Sequence, residues 1–157
     1  MSRSVQVSFL SETPIENIDA VNSQVSSLFD SSTGEIVFQV PIKGFHFEKA
    51  LMEEHFNENY MESEEFPNAT LQGVVVDWES FSESESGDVS VSGELTIHGV
   101  TVIRTFEGNI RIEDGNYVIQ SEFEVKTEDH QIDIPNLVRS QIAESIHVSI
   151  EGVLTPR

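Results

Sequence analysis

Five histidines, a run of glutamates and many serines are the side chains in this 157-residue chain with chemistry to offer. His46, His55, His98, His130 and His147 would have to converge in threes or fours, with short-spaced pairs among them, to hold zinc. No His-x-x-x-His or His-Glu-x-x-His occurs, and "MEEHF" has the letters in the wrong order. Absence of cysteine removes thiolate metal sites, disulfides and a Cys nucleophile. No serine sits in the Gly-x-Ser-x-Gly frame of a hydrolase elbow. Walker and dinucleotide loops are also missing. Glu53, Glu54, Glu58, Glu62, Glu64 and Glu65 could do acid–base work or hold calcium, but EF-hand spacing is absent. They read as a solvated helix face and loop. "NAT" at 68–70 fits a glycosylation acceptor, a motif short enough to occur by chance. Two histidines ask for more. His98 lies in "GELTIHGVTV" (93–102), where it is either a reacting group or half of a two-residue turn. His55 falls between Leu51 and Met52 on a helical wheel, beside Glu48. A polar ring there needs a partner, either a structural one or a ligand head group at a pocket mouth.

The elements that must position these groups are mostly strands. Val5, Val7 and Phe9 alternate with polar residues, as do Ile36, Phe38, Val40 and Ile42. Val89, Val91, Leu95 and Ile97 continue the period of two, followed by Val100, Val102 and Phe106. Tyr117, Ile119, Phe123 and Val125 form another run, and Ile146, Val148, Ile150, Val153 and Leu154 the last. Turn signals "STGE", "SGD", "HG" and "EDGN" separate them. "EDGN" is a strong hairpin signal, because Asp-Gly accepts positive φ. One apolar and one polar face per run is the pattern of antiparallel strands with one side in the core. About eight such runs predict an all-β fold, an antiparallel barrel or a sandwich; closure into a barrel would remove exposed edges.

Two segments depart from the alternation. The stretch 45–58 holds good helix formers, with Phe45, Met52 and Phe56 on one stripe and Phe47, Ala50 and Leu51 on another. It predicts a helix lying across the barrel. A short helix is expected near 135–143, started by Pro135 and carrying Val138 and Ile142 four apart. "WESFSESESGD" (78–88) reads as a solvated hairpin loop. Gly73 and Gly93 on inward positions would make room and allow close approach. No linker divides the chain, so a single domain over 1–157 is expected.

Eight Lys+Arg against 28 Asp+Glu give a net charge of −20. That field repels phosphate backbones and anionic lipid surfaces, which excludes nucleic-acid binding. No apolar run approaches the roughly 20 residues that span a bilayer, so a soluble chain without stable membrane insertion is expected. "MSRSVQVSF" has no apolar region behind Arg3, so either a cytosolic protein or a mature form with an added methionine is expected.

The residues now align with a known pattern. "FEKALMEEHFNENYMESEEFPNATLQGVV" followed by "VSVSGELTIHGVTV" resembles the YceI-like domain, a bacterial family of lipid- or polyisoprenoid-binding proteins. The match rests on His55-Phe56 with the acidic stretch to Phe66-Pro67-x-Ala69-Thr70, and on Gly93-x-Leu95-Thr96-Ile97-His98-Gly99-Val100-Thr101. The ending "HQIDIPNLVRSQIAESIHVSIEG" is similar to that of a Bacteroidetes-type branch. The resemblance covers about residues 34–154. Where the family usually continues "HGVTKPV", this chain has Val102-Ile103-Arg104.

The resemblance implies a lipocalin-like antiparallel barrel of about eight strands enclosing a long-chain amphiphile: a polyisoprenoid, a quinone or a fatty-acid-type lipid. Phe38, Val40, Ile42, Phe47, Leu51, Val91, Leu95, Ile97, Phe106, Ile119, Phe123 and Ile150 would line the cavity. His55 and Arg104 would touch the head group. No catalytic residue, cofactor or metal is implied. Members are commonly exported to the periplasm, as carriers or stress-related proteins, and often pair, which makes a homodimer one assembly open to this chain. With a charge of −20, a pyrophosphate head would be repelled unless Lys43, Lys49 or Arg104 gathered at the mouth, so a neutral or weakly polar head is expected. Two other readings stay open. A packed structural barrel would have Phe38, Phe106 and Phe123 filling its interior. An enzyme acting on a bound lipid would use His55 and Glu48.

Overall fold

Among the described residues, alternating side chains fold into nine antiparallel strands, and eight of them close a barrel. The computed structural model describes residues 2–82 and 86–155. The strands are β1 (Ser2–Glu12), β2 (Asn17–Asp30), β3 (Glu35–Pro41), β4 (Phe45–Phe47), β5 (Asn68–Val75), β6 (Ser86–Ile97), β7 (Val100–Glu113), β8 (Asn116–Lys126) and β9 (Ser145–Leu154). Pairing runs β1-β9-β8-β7-β6-β5-β3-β2, and β1 pairs β2 to complete the circle. The three-residue β4 lies outside that circle, on β2. Among the described residues, no helix is long and apolar enough to cross a membrane.

Two hairpins use the turns their sequences specify. His98 and Gly99 both have positive φ (57° and 73°) between the paired Ile97 and Val100. Asp114 and Gly115 (51° and 80°) do the same between Glu113 and Asn116. Positive φ at both central residues matches the right-handed twist of the flanking strands.

One end of the barrel is plugged. Phe29, Trp78 and Tyr117 meet edge-on or tilted, with ring centroids 4.8 to 5.7 Å apart. Trp78 belongs to a one-turn helix (Trp78–Phe81) and is buried, donating its indole N–H to the Ser31 carbonyl at 2.7 Å. The expected solvated loop at 78–88 is therefore corrected at its start: an indole removes too much apolar surface from water to stay outside. Residues 83–85 of that stretch lie outside the described residues. Gly34 permits this plug, because a Cβ there would sit 2.7 Å from the Trp78 side chain.

The opposite end is built differently, and a bulge in β2 is the cause. Val7 pairs with Asn22 while Val5 pairs with Val25, so β2 carries one extra residue. The side chain of Asn22, fully buried, accepts from the freed Gln24 amide at 2.9 Å and donates to the Pro41 carbonyl at 2.7 Å. Beyond the bulge β2 leaves β3 and pairs with β4. The helix expected at 45–58 is accordingly shorter. Residues 45–47 are strand, a short helix spans Ala50–His55, and a π-type turn follows at Phe56–Tyr60. Phe45 and Phe47 make apolar contacts at the β2 edge that a helix would not give them. The second expected helix, near 135–143, is a 3-10 segment at Asn136–Gln141 with no buried residue.

Candidate ligand-binding cavity

Inside the unplugged end lies a cavity of about 170 Å³. Strands β1, β2, β3, β5, β6, β8 and β9 supply its walls through inward residues such as Val7, Ile18, Val40, Leu71, Leu95, Val125 and Val148. Its cover comes from Phe45, Phe47, Met52, Phe56, Tyr60 and Met61 on one side and Ile132, Ile134 and Ile142 on the other. Phe9 anchors the first group, with ring centroids 5.0 Å from Phe45 and 5.4 Å from Phe56; Phe47 is 5.0 Å from Phe56. Among the described residues, the polar side chains in the lining are Ser11, Thr70, Thr127 and the Tyr60 phenol. Burial pushes the Tyr60 hydroxyl above its ordinary pKa, so it stays a neutral donor. Ser11 already accepts from the Ala143 amide at 2.9 Å.

A second cavity of about 50 Å³ lies deeper, lined by Val89, Val91, Phe106, Ile110 and Ile119 among others. Phe38, Leu71, Phe123 and Ile150 belong to both linings and form the waist between them. The barrel interior is thus one apolar column with a constriction.

Of the residues expected to line a cavity, Phe38, Val40, Ile42, Phe47, Leu95, Ile97, Phe123 and Ile150 border the larger space, and Val91, Phe106 and Ile119 border the deeper one. Leu51 does neither and is 63% exposed. The helix begins only at Ala50, so its phase places Met52, not Leu51, inward. His55 and Arg104, expected at the head group, also line neither space. Sequence reasoning passed over Tyr60, Ile132, Ile134 and Ile142 as lining. Ile132 and Ile134 have the period-two signal without a strand to go with it. Gly73 and Gly93 pair across β5 and β6. A Cβ on Gly93 would lie 2.6 Å from the Gln72 carbonyl, so these glycines serve strand approach and do not open the cavity.

The cations do not gather at the mouth. Lys43 pairs with Glu64 at 2.6 Å, and that bond holds the Glu64 carboxyl below its usual range. Lys49 lies 3.9 Å from Glu16. Arg104 is on β7, opposite Gly93, and donates to the Glu124 carbonyl at 2.8 Å. Above the cavity rim, His98 ties three segments. Its Nδ1 donates to the His130 carbonyl at 3.1 Å, its Nε2 lies 2.9 Å from a Glu62 oxygen, and its ring meets Phe66 edge-on at 4.7 Å. His130, itself buried, donates to the Val100 carbonyl at 2.9 Å. Both histidines fasten the cover. Among the described residues no group of three or more His, Cys, Asp or Glu side chains is placed to hold a metal.

A closed antiparallel barrel with an apolar interior, plugged at one end and covered at the other, is the architecture of a small, cavity-bearing, lipocalin-like barrel. The chain belongs to the YceI-like domain family, whose model matches residues 4–154. No curated protein matches it in sequence. Solved structures share its fold at low identity. BcnA of Burkholderia cenocepacia superposes with a TM-score of 0.82 at 14% identity, covering 96% of each chain. A polyisoprenoid binding domain from Saccharophagus degradans, implicated in plant cell wall breakdown, gives 0.82 at 17% identity, covering 97% of this chain and 94% of its own. A YCEI protein of Campylobacter jejuni gives 0.64 at 16%, covering 85% and 81%.

Proposed function

We propose that this protein binds the apolar tail of a long-chain amphiphile in the barrel interior, as a carrier rather than a catalyst. The observation that carries the reading is the 170 Å³ cavity walled almost wholly by hydrocarbon. An engineered apolar cavity of about 150 Å³ already binds benzene. Each buried methylene contributes about 0.8 kcal/mol, less the ordering of the chain. A tail longer than this cavity would pass the waist by turning the Phe38 and Phe123 rings and occupy the deeper space. The polyisoprenoid-binding domain of the same fold supports an isoprenoid or similar linear chain as the ligand class. Lys43 and Lys49, each beside its own carboxylate, leave the mouth without a site for a diphosphate, which favours a head that is neutral or carries one charge. We place the protein outside the cytoplasm, as is common in this family.

Mass spectrometry of gently purified protein tests the reading. A co-purified or added long-chain lipid should be retained by the native chain. It should be lost from Ala69→Trp, which puts an indole into the cavity, at unchanged far-UV circular dichroism. A native protein that retains no lipid from any long-chain mixture would sink the proposal. A retained lipid diphosphate would sink the head-group preference alone.

A further inference from the structure

The closed barrel is not joined by a strand ladder along its whole height. The β7–β8 ladder runs only from Gly108 and Ser121 to Glu113 and Asn116. Beyond it, residues 101–107 of β7 pair with β6 alone and residues 122–126 of β8 with β9 alone. Arg104 stands in this seam. Its position on β7 is in phase with the buried Phe106 and Ile110, so it belongs to the inward set. Its partner across β6 is Gly93, which offers no side chain to fill the space beside it. The guanidinium carbon lies 5.0 Å from the centroid of Phe106 and 5.3 Å from that of Phe123, which are themselves 4.8 Å apart and edge-on. Phe123 is a waist residue, shared by both cavities.

The chain has 28 Asp and Glu, and Lys43, Lys49 and Arg111 each have a carboxylate beside them. Arg104, like Lys126 and Arg139, has no ion-pair partner among the described residues, and of these three it alone stands over ring faces. Its contacts are one backbone carbonyl and those two rings. A half-buried guanidinium has five N–H donors, in a fork that fits a carboxylate with two parallel bonds. Arg104 itself borders neither cavity, but the rings it stands over do: Phe106 lines the deeper one and Phe123 both.

Building on the tail-binding reading, we infer that Arg104 in the β7–β8 seam is a head-group site for a single carboxylate, so that the preferred ligand is a long-chain acid with its tail in the barrel and its head in the wall. A diphosphate needs more positive charge than one guanidinium supplies within a field of −20. A carboxylate matches it charge for charge.

The test compares hexadecanoic acid with hexadecan-1-ol, two ligands of equal tail, by calorimetric titration of the whole chain at pH 8 and about 0.15 M salt. The native protein should bind the acid at least tenfold more tightly than the alcohol. In Arg104→Gln, which can still donate to the Glu124 carbonyl, that ratio should fall to about one. Arg104→Lys, a point charge without the fork, should keep an intermediate ratio. Equal affinities for acid and alcohol in the native protein, or a ratio unmoved by Arg104→Gln, would overturn the site while leaving tail binding intact. Failure of the native protein to bind either ligand while it retains another long-chain lipid would overturn the site alone; retention of no long-chain lipid at all would overturn the tail-binding reading, and the site with it.

Discussion

At the scale of single residues, histidines fasten strands and cover segments together. His98 fits the turn with its backbone and the cover with its ring, which explains why a reactive-looking residue needs no nucleophile nearby. Its place in a His-Gly turn was legible, because two alternating runs flank the dipeptide. Its partners were not, because Glu62 and His130 lie 36 and 32 residues away and only closure of the barrel brings them to it. His147 is a more exposed case. Its two ring nitrogens each lie 2.9 Å from a carboxylate oxygen, of Glu122 and of Glu124. Those bonds, to Glu122 first, raise the imidazole above its ordinary value, and bonds from His147 and Ser145 hold Glu124 below its own. The signs follow by linkage. A raised histidine contributes stability that is complete below its unfolded pKa of about 6.5 and fades as pH rises through the folded one. A lowered Glu124 contributes above about 4.5 and loses that as pH falls through its folded value. The pair therefore stabilises most from about pH 4.5 to 6.5. Replacing His147 by Gln should lower urea midpoints at pH 5.5 and leave them nearly unchanged at pH 9. An equal loss at both values would show that packing, not charge, is at work.

At the scale of elements, the bulge in β2 decides where the cavity is. Period-two patterning marks inward positions only while a strand keeps its phase. In β2 the inward set changes from Ala20 and Asn22 to Val25, Ser27 and Phe29, and so the alternation breaks midway. That break hid the whole of β2 from the sequence reading, and with it the reason why 45–47 is strand. The apolar spacing of Phe45, Met52 and Phe56 nevertheless marked three residues that do meet at the cavity, although one sits on a strand and one on a π-type turn. Asn22 holds the arrangement, since its amide satisfies both the Gln24 N–H and the Pro41 carbonyl. Asn22→Ala should cost about 1–3 kcal/mol by leaving buried groups unsatisfied. Guanidinium unfolding would read that loss. Hydrogen exchange should quicken first at Gln24 and the β4 amides, before the plugged end responds. Uniform acceleration over all nine strands would show that the bulge does not govern the open end.

At the scale of the whole molecule, a strongly acidic surface surrounds an apolar interior. The composition alone made that surface legible, and the alternation made the barrel legible. The split between β7 and β8 was not, because Val102, Arg104 and Phe106 keep perfect alternation through a region where one neighbour is missing. A net charge of −20 on 157 residues opposes the compact state through self-repulsion. The repulsion acts over distances set by ionic strength, about 30 Å at 0.01 M, 8 Å at 0.15 M and 3 Å at 1 M. Most of the relief should therefore arrive early on adding sodium chloride. The surface ion pairs, such as Lys43–Glu64, weaken in the same range, but pairs this exposed contribute little to stability. Thermal unfolding should move up by several degrees between about 0.01 M and 0.15 M salt and change little more by about 0.5 M, since about 1 kcal/mol shifts Tm by roughly 2–4 °C in a chain this size. A rise that stayed linear to high salt would point to strengthened apolar burial instead of screened charge. A fall would show that the ion pairs outweigh the repulsion and that the acidic surface is balanced locally, carboxylate by cation, despite its net charge.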